Sequence, residues 1–208
     1  MKKIIVLLTS LLALGINAEG EKTKKVFISP GLVSIDIIHQ GQTVKLQRNQ
    51  DREHKISNFY LKTSRGKIQK MHPFAPHAVE TIGELDVIEY VKQRSAGDDN
   101  IIVIDTRTPN WPVITGGIPT AVNIPYTDFK KKTTALEIME DQLGVQVDDT
   151  WNFAYAKTLV MYCNGIWCGQ TPAAIKALLS YGYPAAKIKY YRGGMNAWKS
   201  LGLKTVNL

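Results

Sequence analysis

Three short apolar runs, NIIVIDTR (100–107), TLVMY (158–162) and KIKYY (187–191), stand well apart along the chain, and helical periodicity fills the gaps between them. A run of four to eight apolar residues without polar alternation belongs in a strand covered on both faces, the usual condition of a parallel sheet. The stretch TIGELDVIEYVKQ (81–93) places Leu85, Ile88 and Val91 on one helical face, with Thr81 and Glu84 in capping-box spacing. TTALEIMEDQLG (133–144) repeats that pattern, with Thr134 and Glu137 at its start and Gly144 as its stop. TPAAIKALLSYGY (171–183) is a third helix, ended by Gly182. Strands alternating with helices predict an α/β domain over 81–208: an open parallel sheet with helices on both faces.

The region before it has a different texture. Residues 32–48 alternate apolar and polar on either side of Gln40-Gly41, which predicts a β-hairpin. The polar stretch after it, punctuated by Pro73 and Pro76, makes 19–80 a hairpin followed by a loop-rich arm. Residues 1–18 read as a secretory signal peptide. Lys2 and Lys3 form the charged start, Ile4–Leu14 the apolar run, and Ala18 the small residue for cleavage. The run is too short to span a bilayer, and no other stretch is long enough. The expected location is therefore periplasmic or secreted, which argues against nucleic acid as a partner.

The formal charge is +8, two units of which belong to the leader lysines, and Lys and Arg concentrate between Lys22 and Lys70. A basic arm of this kind can dock an anion or an acidic protein partner, or serve only solubility. With 44% hydrophobic and 21% charged residues, the chain is globular rather than disordered.

Both cysteines lie in YCNGIWCGQTPAA (162–174), between the second apolar run and a helix with Pro172 in its first turn. The loop admits three readings: a disulfide, a metal site, or a nucleophile on an amide cradle. In open α/β sheets, ligands sit beyond the carboxyl ends of strands. A helix N-terminus there offers free N–H groups and a positive dipole end, and Gly165 and Gly169 let further amides turn inward. A thiol at Cys163 is then expected to be acidified. Zinc would need more Cys or His in closing geometry, but His39, His54, His72 and His77 all lie in the arm. No metal and no cofactor are expected.

The domain resembles the rhodanese-like family. IIVIDTRTPN (101–110) is similar to the family's strand followed by Asp-x-Arg, GGIPTAVNIPY (116–126) to its Gly-His-Ile-Pro stretch, and RGGMNAWKSLGL (192–203) to its Gly-Gly-x-x-Ala-Trp ending. The two-cysteine loop falls where the family carries its catalytic cysteine. The resemblance implies a sulfurtransferase in which Cys163 becomes a persulfide, taking sulfur from a small sulfur-containing anion and giving it to a thiol acceptor. It implies a cradle of Asn164, Gly165, Ile166, Trp167, Gly169, Gln170 and Thr171. Asp105 would be structural support, Arg107 would shape the pocket, and Arg192 would add charge at its mouth.

The loop departs from the family pattern. It is longer, Cys168 falls where many members have an arginine, and Gly117 replaces the usual histidine. In these respects it resembles exported rhodanese-like proteins with a long loop bearing a second cysteine and a tryptophan. Cys168 would resolve the persulfide, form a permanent bridge with Cys163, or remain an independent thiol. The runner-up function is a catalytically poor binding module with a Cys163–Cys168 disulfide. Phosphate-ester chemistry would need the missing arginine, and thiol–disulfide exchange is usually built on Cys-x-x-Cys.

Overall fold

The computed structural model describes residues 25–147 and 150–208; the proposed leader lies outside them. In chain order the elements are β1 (Ser34–His39), β2 (Gln42–Gln47), β3 (Glu80–Ile82), α1 (Glu84–Ser95), β4 (Ile101–Asp105), α2 (Asn110–Thr115), β5 (Val122–Asn123) and α3 (Tyr126–Lys130). They continue with α4 (Lys132–Asp141), β6 (Gln146–Val147), β7 (Trp151–Asn152), β8 (Thr158–Tyr162), α5 (Gln170–Ser180), β9 (Ile188–Tyr191) and α6 (Gly194–Ser200). Five strands form one sheet in the order β3-β9-β8-β4-β5, every neighbouring pair parallel. The α/β expectation holds, and the three apolar runs are the three central strands. No helix among the described residues is long and apolar enough to cross a membrane.

The pleat divides the core into two halves. Leu159 and Met161 of β8 face α3, α4 and α5, among Ile104, Phe129, Met139 and Ile175. Val160 and Tyr162 face the other way, among Val87, Val91, Val103, Met195 and Trp198 from α1, β4 and α6. Covering both faces explains why these strands read as unbroken apolar runs.

The hairpin β1–β2 turns through Gln40 and Gly41, both at positive φ (48° and 74°), the pattern of a type I′ turn. Ile37 and Leu46 are buried in the same cluster as α1 and α6, so the hairpin contributes to the core.

Two helix starts differ from expectation. Thr81 does not cap α1: it pairs with Tyr190 in β3, and its hydroxyl donates to the Met71 carbonyl. Extending the strand through Ile82 delays the helix, and Asp86 instead accepts the Gly83 N–H at 2.9 Å. The buried face then carries Val87, Ile88 and Val91, while Leu85 is exposed. Likewise α4 begins at Lys132 directly after α3, so Thr134 lies within its first turn instead of capping it.

Candidate functional site

The two-cysteine loop leaves the carboxyl end of β8, at the centre of the sheet, and enters α5. Cys163 and Cys168 are both free thiols, 2% and 8% exposed. Cys163 Sγ donates to the Cys168 carbonyl at 3.6 Å, and Cys168 Sγ to Gln170 Oε1 at 3.7 Å. The loop curls back on itself through Cys168 N–H to Gly165 O at 2.8 Å.

Cys163 is shifted upward, opposite to the expected acidification. Burial pushes Cys163 up, a thiolate at Cys168 raises it further, and only Thr171, through its hydroxyl and backbone N–H, pulls it down. Cys168 is lowered to about 7 by the hydrogen bond from Cys163, against its own burial, with help from the Gln170 and Asn164 amides. Desolvation governs Cys163, while its neighbouring thiol and two backbone amides outweigh burial at Cys168. Alkylation of Cys168 by iodoacetamide should rise with pH through a midpoint near 7. In a Cys163→Ala variant the main lowering contact is gone, so the midpoint should move up; an unmoved midpoint would contradict this pairing.

Asn164 is held in place by groups from far along the chain. Its Oδ1 accepts the Tyr60 hydroxyl at 3.0 Å and an Arg107 N–H at 3.5 Å. Arg107, expected to shape the pocket and to help hold an anion, is fully buried, and its five N–H groups are committed. Nε donates to Asp105, Nη1 to Thr115 Oγ1 and Asn164 Oδ1, and Nη2 to Asp105 and the Gly116 carbonyl. It braces the loop from behind and has no donor left for a substrate. Asp105, equally buried, also accepts the Arg107 backbone N–H. Arg192, expected at the mouth, turns to the arm and donates to Gln69 O from Nε and Nη2.

Thr171 is fully buried, 2.7 Å from Thr106 Oγ1, which in turn lies 2.9 Å from the Tyr162 carbonyl at the end of β8. Trp167 folds over Gly165 on one side and meets Gly66 of the arm on the other. Ile166 forms the exposed tip, and its carbonyl accepts the Gln69 N–H at 2.8 Å. Gly169 precedes α5, whose first residue, Gln170, lies 3.7 Å through Oε1 from Cys168 Sγ.

Tyr60, Thr106 and Gly194 also build the site, and sequence reasoning passed over them. Tyr60 lies 104 positions from its partner, so no local signal could find it. Thr106 and Gly194 sit inside motifs that carried the resemblance, where their neighbours drew the attention. At Gly194, φ is +56° and an added Cβ would lie 2.4 Å from the Cys163 carbonyl oxygen. The glycine lets α6 approach so closely that the Met195 and Asn196 N–H groups bond the Cys163 and Asn164 carbonyls. Gly194→Ala should cost at least about 2 kcal/mol in denaturant unfolding. Gly117 is explained by the C-terminal residues: Leu208 packs where a side chain at 117 would project, and Val206 bonds the Gly117 backbone.

Among the described residues no group of three or more His, Cys, Asp or Glu side chains is placed to hold a metal. His39 is tied inside the protein, accepting the Thr120 N–H at Nδ1 and bonding Asn207 O through Nε2.

No curated protein matches the chain in sequence. Among solved structures, a single-domain sulfurtransferase from Saccharomyces cerevisiae is 20% identical, covers 62% of this chain and 95% of its own, and has a TM-score of 0.44. An uncharacterised Saccharomyces cerevisiae protein is 27% identical over 60% of this chain and 94% of its own, with a TM-score of 0.42. A rhodanese-related protein from Thermoplasma volcanium is 19% identical over 62% of this chain and 99% of its own, with a TM-score of 0.39. The family profile described as the rhodanese-like domain matches residues 87–201, more than half the chain and every strand and loop that builds the cysteine site except β3 and the arm. The chain belongs to the rhodanese-like domain family.

Proposed function

We propose that this protein is an exported sulfurtransferase or persulfide carrier in which Cys163 takes up sulfane sulfur and passes it to a thiol, with Cys168 able to close onto it. One observation carries the reading: two free, buried thiols share one loop between β8 and α5, with Cys163 Sγ against the Cys168 carbonyl.

In the loading step the Cys168 thiolate accepts the Cys163 proton as Cys163 Sγ attacks the outer sulfur of the donor. The donor's S–S bond breaks, and its remainder leaves with the electron pair. Thiosulfate carries two negative charges, and Arg107 has no N–H to spare for it, so a polysulfide or a related donor of lower charge density suits the site better. Transfer to an external thiol then restores Cys163. In the alternative exit, deprotonated Cys168 attacks Cys163 Sγ, hydrosulfide leaves, and a loop disulfide remains for an external dithiol to reduce.

The burial of Cys163 supports a second reading, a binding module of the same fold whose loop stays bridged. One experiment separates the two. Reduced protein mixed with polysulfide should release sulfide and accumulate the Cys163–Cys168 disulfide in peptide mapping, and Cys163→Ala should do neither. A bridge that survives mild reductant, with no sulfide released, would support the module.

A further inference from the structure

We propose that the face around the cysteine loop docks an acidic protein that presents a thiol among apolar side chains, and that this protein is the sulfur acceptor; the second clause rests on the sulfur-transfer reading above.

The arm does not merely precede the domain. Segment 58–71 lies along the loop. Tyr60 bonds Asn164, Gly66 meets Trp167, Gln69 N–H donates to Ile166 O, and Arg192 clasps the Gln69 carbonyl from the end of β9. Large apolar side chains stand exposed along this strip and beside it: Phe59 (55%), Leu61 (58%), Ile68 (74%) and Met71 (57%), with Ile166 at the loop tip. Phe59 stacks edge-on against Trp111 of α2, whose Val113 is 84% exposed and extends the patch. So many exposed large apolar side chains on and beside one short segment suit an interaction site.

Charge identifies the partner. Lys62, Arg65, Lys67 and Lys70 interleave with the apolar residues and are all exposed. The sequence has no Asp or Glu from 54 to 79, and none of these four cations takes part in an ion pair among the described residues. Uncompensated positive charge interleaved with exposed apolar side chains complements a partner that mixes acidic and apolar side chains.

Docking raises the effective concentration of an acceptor thiol at the loop. Cys163 is 2% exposed beneath the loop, so an acceptor gains from contacts that hold it at the mouth. There its thiolate attacks the outer sulfur of the Cys163 persulfide. That S–S bond breaks, Cys163 leaves as thiolate, and the acceptor keeps the sulfur as its own persulfide, with no net oxidation or reduction.

The test uses two synthetic nine-residue peptides, one with a central cysteine among Glu and Leu, the other with Lys in place of each Glu. Docking is read without sulfur chemistry, by titrating serine-for-cysteine versions of both peptides onto the full-length Cys163→Ser protein. The acidic peptide should bind at least about tenfold more tightly than the lysine peptide at low salt, with the difference shrinking at high salt. A Lys67→Glu/Lys70→Glu variant should lose that preference while its thermal midpoint and polysulfide loading stay unchanged. With loaded wild-type protein, the acidic cysteine peptide should accept sulfur faster than the lysine peptide or glutathione. Equal binding of the two peptides, or no binding, would overturn the proposal. So would binding to phosphatidylglycerol vesicles without peptide preference, which would make the face a membrane surface. Failure of Cys163 to load, with peptide docking intact, would count against the sulfur-transfer reading and the acceptor role while leaving the docking face standing.

Discussion

Replacing Asp105 by alanine is expected to destabilise the protein by about 3–5 kcal/mol, the range for removing one partner of a buried ion pair. Both side chains of the pair are fully buried, and the guanidinium has no carboxylate partner other than Asp105 among the described residues. Burial alone would make Arg107 easier to deprotonate, but the Asp105 hydrogen bonds and charge hold it above the usual arginine range, so it stays a cation. Without Asp105 that cation is left in the core with only neutral acceptors, Thr115, Gly116 and Asn164. Urea unfolding of Asp105→Ala, Asp105→Asn and a doubly substituted Asp105→Leu/Arg107→Met protein would test this. Asparagine keeps acceptor geometry and should cost less than alanine. The double variant should recover much of the loss, because it removes the charge together with its partner. A loss below about 1 kcal/mol for Asp105→Ala would mean that Arg107 is wetter than its contacts indicate.

The second large effect is kinetic. In a Cys168→Ser protein the Cys163 persulfide should persist at least about tenfold longer than in the wild type, because an attacking group held opposite the reacting sulfur has a high effective concentration. Serine keeps the size and hydrogen bonding of Cys168, but its hydroxyl neither ionises near neutrality nor attacks a persulfide. The wild-type decay should also quicken with rising pH, since more Cys168 thiolate is then present to attack. Decay at equal rates in both proteins would leave Cys168 without a resolving role. Persulfide lifetime at Cys163, followed by trapping with an alkylating reagent, reads this directly.

The fold was largely legible because the three central strands are covered on both faces, and such strands leave an apolar run that needs no neighbour to interpret. Their succession with helical stretches gave the layer order. Helix starts were less legible. Thr81 has the composition of a cap, but pairing with β9 is a tertiary event that draws it into a strand. At the site, the place of the two-cysteine loop between strand and helix follows from local sequence, and the Asp105–Arg107 motif from the family resemblance. The orientation of Arg107 does not: an Asp-x-Arg motif looks alike whether its guanidinium faces a ligand or, as here, the back of the loop. The upward shift of Cys163 comes from its burial, and spacing cannot supply that. The least legible part was the arm. Tyr60, Gly66 and Gln69 give no motif, and their contacts with Asn164, Trp167 and Ile166 exist only once the chain has folded back across the sheet.

The measurement closest to the central claim is intact mass of the mildly reduced protein after brief exposure to polysulfide, beside Cys163→Ser and Cys168→Ser. The account predicts one added sulfur on the Cys168→Ser protein, a transient addition on the wild type that gives way to the loop disulfide, and none on Cys163→Ser. Sulfur uptake that survives loss of Cys163, or no uptake by any of the three, would contradict it.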